Sequence, residues 1–181
     1  YEAKMVQAWV NKTDSTDLVV QDTNPDAAKY ESTMVRETRN NVLLWVYRTN
    51  SNNTNARAGT PGTNTITWGA ETTIANSAEG NDVAYVGSGK FVIIYRERTG
   101  SNYYKGVMLS ISNNNITVGT ANAVANGQDG GDKPACVYHP AQNRLYVIYP
   151  RYGNRLTVSA GLVDTSSPNS WQSDWRGKTV G

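Results

Sequence analysis

The sequence predicts an all-β fold, a β-propeller-like array of four-stranded antiparallel units, and three observations lead there. The first is a phrase written three times: "VLLWVYRTNSN" at 42–52, "KFVIIYRERTG" at 90–100 and "RLYVIYPRYGN" at 144–154. Setting these under one another brings Tyr47, Tyr95 and Tyr149 into register, and the period of about 50 residues marks a repeat architecture. The second is composition. Only 38% of the chain is hydrophobic and 18% charged, so Asn, Thr, Ser and Gly fill the connections, as many short strands and tight turns require. The third is the repeated run itself. Phe91, Val92, Ile93, Ile94 and Tyr95 are apolar on both faces of a strand, so both faces must be covered, as in a propeller blade held between two neighbours. A short buried helix is the competing reading, and the β-branched and aromatic content argues against it.

Taken in order, "KMVQAWVN" at 4–11 reads as the last strand of a preceding unit, so 1–11 is a partial blade. The first full repeat, about 12–63, holds "LVV", "STMVRE" and "VLLWVY", with a fourth strand near "NARAG". The second, 64–113, opens on a weak strand at 72–74 and continues through 83–86, 91–95 and 104–111, with "GSGK" and "SNNN" as turns. The third, 114–167, repeats this with "NAVAN", "PACVY", "LYVIY" and "LTVSAGLV", and 168–181, with "NSWQSDW", starts a further copy. The tally is about three blades plus partial flanking ones, whereas closed propellers have roughly four to eight. The expectation is therefore a single propeller segment, a fragment of a longer chain. Copies completing a ring, or repeats stacked as an open array, are the alternatives.

Charge and residue counts then narrow the functions. A formal charge of +2, evenly scattered, lacks the basic stripe of a nucleic-acid binder. Cys136 is the single cysteine, which excludes an intrachain disulfide and fits a small apolar slot in a strand. No stretch approaches the roughly 18 apolar residues of a membrane helix, so no membrane insertion is expected. His139 is the single histidine and sits in the turn "YHPAQN" with no G-x-S-x-G anywhere, so a serine-hydrolase triad is not expected on it. "GQDGGD" at 127–132 and "TDSTD" at 13–17 lack the remaining oxygen ligands of a calcium loop and read as plain loops. Glu37, Glu71, Glu79 and Glu97 lie in or beside turns, none inside an apolar run that would raise its pKa for glycoside hydrolysis. The sequons at Asn11, Asn52 and Asn115 are what an Asn/Thr-rich chain yields by chance. No catalytic residue, metal site or cofactor is expected.

Binding is a different matter. The loops after the repeated strand read "RTNSNNTN", "RERTGSNYY" and "RYGNR", presenting Arg, Tyr and Asn from successive units on one face. Rings stack on sugars while guanidinium and amide groups match hydroxyls and carboxylates, so Arg48, Arg98, Tyr103, Arg151 and Tyr152 form the candidate glycan-contact surface.

Two family resemblances bear on this. The stretch "TITWG" is similar to the sialidase Asp-box, S-x-D-x-G-x-T-W, but only Thr67 and Trp68 match, with Thr63 and Thr65 in place of the Asp and Gly. Units of the form "ITWGAETTIANS…NDVAYVGSGKFVIIYRERTGSNYYKGVMLSI" resemble the propeller-type repeats of bacteriophage virion proteins, especially tail-fibre and appendage proteins of marine and cyanobacterial phages. The closing "SDWRGKTVG" is similar to the junction into a further β domain, and the likeness covers about 30–181, with the insert "NSNNTNARAGTPGTN" departing from it. The resemblance implies a non-enzymatic structural or receptor-binding protein at the virion surface or outside cells. Its partners would be other virion subunits, further copies of itself or a cell-surface polysaccharide, and no site residue carries over. A propeller glycan hydrolase or lyase, and an extracellular filament or surface-layer protein, are the rival classes.

Overall fold

The computed structural model describes residues 6–10, 18–23, 30–37, 39–63, 65–99, 104–124, 133–151, 155–163 and 176–180. They are all-β, with a single 3-10 turn at Pro140–Gln142. Strands β1 (Val6–Val10) and β2 (Leu18–Thr23) pair as a two-stranded ladder. Sheet I contains β3 (Tyr30–Glu37), β4 (Val42–Arg48), β5 (Thr54–Pro61) and β6 (Ile66–Trp68), and β7 (Thr72–Ala75) also pairs with β5. Sheet II contains β8 (Ala78–Gly87), β9 (Lys90–Glu97), β10 (Tyr104–Ser112) and β11 (Asn115–Val118), and β12 (Asn122–Ala123) adds to β10. Sheet III contains β13 (Ala135–His139), β14 (Arg144–Arg151), β15 (Arg155–Leu162) and β16 (Arg176–Val180). Each sheet is antiparallel in simple chain order.

Turn chemistry explains that order. Asn113 and Asn114 both have positive φ, 51° and 62°, the twist a two-residue hairpin needs, so β11 must fold back onto β10. The sheets therefore group their strands one place differently from the repeat boundaries near 64 and 114. Ile66–Trp68 and Thr72–Ala75 close sheet I rather than opening the next unit, and Leu18–Thr23 pairs with Val6–Val10. Likewise Arg176–Val180 pairs with β15 as the fourth strand of sheet III, while "NSWQSDW" lies outside the described residues. Gly59 allows the hairpin to close in sheet I, because a Cβ there would sit 2.7 Å from both Ile66 Cγ2 and Trp68 Cε3.

The repeated phrase occupies β4, β9 and β14. Leu44 and Val46 of β4 face Phe91, Ile93 and Tyr95 of β9 in one core, joined by Ala56, Ile74, Val107 and Leu109. The alternate residues Val92 and Ile94 face Leu145, Val147 and Tyr149 of β14 in the next core. Strand β9 is thus apolar on both faces because it is covered on both, with Val92, Ile93 and Ile94 all fully buried. Trp45 and Tyr47 turn to the other side of sheet I and pack with Ile66 and Trp68. Continuing the alternation, Tyr146 and Ile148 on the far side of sheet III correspond to Val92 and Ile94, yet Ile148 is 44% and Val137 64% exposed.

The first strands of the sheets lie side by side, β3 against β8 and β8 against β13. Side chains latch them: Thr33 Oγ1 donates to the Asn81 carbonyl at 3.4 Å, and the Cys136 amide donates to Asp82 Oδ2 at 2.8 Å. Lys133, just before β13, reaches Thr33 Oγ1 of β3 at 2.9 Å. Cys136 fills a partly buried slot against the second core, and burial, helped by the Asp82 carboxylate, pushes its thiol pKa up.

Candidate functional site

Strand β4 ends at Arg48, and the chain after it forms a compact turn. The Asn52 amide donates to the Thr49 carbonyl at 3.0 Å, the Thr49 amide to the Asn53 carbonyl at 2.9 Å, and Asn52 adopts a φ of 58°. This loop is stapled to the next sheet, since the Ala78 amide donates to the Asn52 carbonyl at 2.7 Å. The Arg98 amide in turn donates to the Ser77 carbonyl at 2.7 Å. The ends of β4 and β9 are thereby held together with the start of β8.

Glu79 of β8 organises the charges at this junction. Its Oε1 accepts from Arg96 Nη1 at 2.8 Å and its Oε2 from Arg48 Nη1 at 3.2 Å, and Oε2 also forms an ion pair with Arg98 Nη1 at 3.1 Å. Arg48 also faces Glu31 Oε1 at 3.5 Å, and that carboxylate accepts the Gly80 amide. Asn52 Oδ1 accepts from Arg48 at 3.1 Å and from Arg98 at 3.5 Å. Among the described residues three guanidiniums therefore meet two carboxylates here, at side-chain exposures of 15–20% for Arg48 and Arg96 and 46% for Arg98. A half-exposed guanidinium held by a carboxylate behind it is pre-oriented for an incoming carboxylate, which forks onto guanidinium nitrogens. Beside it, Lys105 and Glu97 pair at 2.8 Å.

Of the five residues expected to contact glycan, Arg48 and Arg98 are brought onto one carboxylate oxygen. Arg151 ends β14 opposite Arg155, with its side chain outside the described residues, where Tyr103 and Tyr152 also lie. Sequence reasoning did not single out Arg96 or Glu31, weighed Glu79 only as an acid for glycoside hydrolysis and read Asn52 only as a sequon. Arg96 was visible in principle: aligning Tyr47 with Tyr95 puts Arg96, not Arg98, under Arg48. Nothing local marked Glu79 as the common partner, because that role depends on the packing of sheet II against sheet I.

Other residues singled out by the sequence behave as framework. Glu71, exposed, accepts from the Tyr47 hydroxyl and, at 2.7 Å, from Asn55 Nδ2. Trp68, one of the two residues that match the Asp-box, packs on Trp45 at 6.0 Å and has the Arg57 guanidinium 6.0 Å from its ring centre. Tyr149 shares a 3.0 Å hydrogen bond with Ser159. His139 is exposed at the end of β13. Glu37, read from the sequence as a turn residue, is 1% exposed, and its two oxygens accept the Arg39 and Asn40 amides at 2.6 and 2.7 Å. The loops "GQDGGD" and "TDSTD" lie outside the described residues. Among the described residues no group of three or more His, Cys, Asp or Glu is placed to hold a metal ion, and no helix is long and apolar enough to cross a membrane.

No protein-family model matches the sequence, and no curated protein matches it.

Proposed function

We propose that this chain is a non-enzymatic structural repeat module, a propeller-type array whose sheets act as blades in an appendage of a virion or an extracellular surface. The observation that carries the reading is the repeat-equivalent face. The position held by Val46 in sheet I and Ile94 in sheet II is fully buried against the following sheet, while its counterpart Ile148 in sheet III is 44% exposed. Val137, Tyr146, Val158 and Ala160 share that face by register. The occupant that fits it is one more four-stranded sheet of the same repeat, because two such faces in this chain are already covered in that way. The convergence of the first strands, with Lys133 reaching across to Thr33, supports arrangement of the blades about a common axis. The resemblance of the repeats to phage appendage proteins is what favours a virion.

The test is to change Ile148 and Val137 to Lys in the protein and follow its assembly and melting. Loss of stability or assembly supports the reading. Unchanged behaviour in both would overturn it.

A second reading, binding of an acidic glycan, is favoured by one observation: Arg98 stands half-exposed on a carboxylate it shares with Arg48. Saturable adsorption of anionic cell-surface polysaccharide that Arg98→Ala abolishes, leaving the polymer intact, supports it. Shortening of the polymer would instead favour a glycan hydrolase or lyase.

A further inference from the structure

At the ends of β4 and β9 opposite the arginine cluster, a cleft of about 310 Å³ opens between sheets I and II. One wall is the turn from β3 to β4 and the other is the turn from β10 to β11. Its apolar side is formed by Val42, Ile111 and the edge of buried Phe91. Its polar side is formed by Asn40, Thr60, Ser112 and Asn113.

Both walls are fixed before any ligand arrives. In the first, the buried Glu37 carboxylate holds the Arg39 and Asn40 amides, and Asn41 Nδ2 donates to the Pro61 carbonyl at 3.2 Å. In the second, Asn114 ties sheet II to sheet I: Thr60 Oγ1 donates to Asn114 Oδ1 at 2.9 Å, and Asn114 Nδ2 donates to the Thr67 carbonyl at 2.9 Å. The backbones touch as well, since a Cβ on Gly69 would lie 2.1 Å from the Asn114 carbonyl oxygen. Among the described residues, the Asn40 and Asn113 side chains make no hydrogen bond of their own, so their amides remain available at the rim.

Repetition does not demand this construction. The residues paired with Val42, Lys90 and Arg144 at the corresponding turns are Glu37, Gly87 and His139, so the carboxylate latch occurs at the first of the three turns only. The chemistry of the lining selects the ligand. Glu37 is the one charged residue in it, and both its oxygens are engaged within the turn. What remains is neutral: amides that donate and accept, hydroxyls and an apolar strip. That combination matches vicinal hydroxyls on one edge of a pyranose and C–H groups on its face, and the volume sits at the small end of ligand sites.

We infer that the cleft between the β3–β4 and β10–β11 turns binds a neutral hexose unit, with Asn40 and Asn113 hydrogen-bonding its hydroxyls. This site is separate from the arginine cluster and does not depend on it.

The test is an NMR titration of the ¹⁵N-labelled full chain with D-glucose, D-galactose, D-mannose and D-galacturonate. Saturable shifts of the Asn40 and Asn113 side-chain amides with at least one neutral sugar are expected. The double variant Asn40→Ala, Asn113→Gly should bind at least about tenfold more weakly at an unchanged melting temperature, glycine being chosen because position 113 has a φ of 51°. Arg98→Ala should leave the binding intact. The inference is overturned if no neutral sugar shifts those amides, or if the double variant binds as the wild type does. Preference for galacturonate together with loss in Arg98→Ala would also overturn it, by assigning the binding to the arginine end.

Discussion

Ile94 and Ile148 hold the same place in consecutive copies of one phrase, and truncating each to alanine measures what a covering sheet contributes. Ile94 is fully buried among Leu145, Val147 and Tyr149. Ile148 is 44% exposed. The substitution removes three carbons, a transfer loss of about 2.4 kcal/mol for a buried site at roughly 0.8 kcal/mol per carbon. The cavity left between two sheets raises this to about 3–4 kcal/mol, within the range measured for such truncations in other cores. At Ile148 little more than half of the transfer loss applies and the open side leaves no cavity, so about 1 kcal/mol is expected. Urea unfolding of the two variants, compared at unchanged m-value, reads the difference as a shift in midpoint. Equal midpoints, or a cost for Ile94→Ala below about 1 kcal/mol, would refute the two-sided burial of β9.

Three further outcomes follow from named contacts. Burial, with a smaller contribution from Glu97, raises the Tyr95 pKa from 10.0 to about 12. An unfolded tyrosine ionises near pH 10 and the folded one does not, so this contribution is whole below pH 10 and about 2–3 kcal/mol is lost as pH rises to 12. Tyr95→Phe should flatten that part of an alkaline melting profile. Glu79→Ala leaves Arg48, Arg96 and Arg98 without the carboxylate they share and should cost about 2 kcal/mol, discounted for partial exposure. Added salt should narrow the gap to wild type, and a salt-independent gap would point to lost packing instead. Gly69→Ala drives a Cβ into the Asn114 carbonyl and should cost about 1–3 kcal/mol, seen as a lower melting temperature. An unaltered melt would mean that the two backbones do not approach so closely.

Much of the architecture was legible because it is local. Alternation is a property of successive residues, so the run from Phe91 to Tyr95 announced a strand covered on both faces, and the tyrosine register announced the repeat. The Asn113–Asn114 turn also carried the grouping of β11 with β10, since paired left-handed residues make a hairpin rather than a link between units. The sheets group their strands one place differently from the sequence repeats, which begin near 64 and 114. The site was legible only in part. Arg48 and Arg98 could be chosen as loop residues on one face, but Glu79 stands 31 residues from Arg48 in sequence and meets it through the stacking of two sheets. Glu37 looked like an ordinary turn residue, because its burial is supplied by how the turn folds over it.

The sequence by itself thus determined strand, turn and repeat, for these depend on residue size, branching and φ preference within a few neighbours. Tertiary structure decided which faces of the sheets cover one another, which guanidiniums share Glu79, and where a cleft remains between two turns. Those outcomes depend on distances between residues far apart in the chain, and no local pattern encodes them.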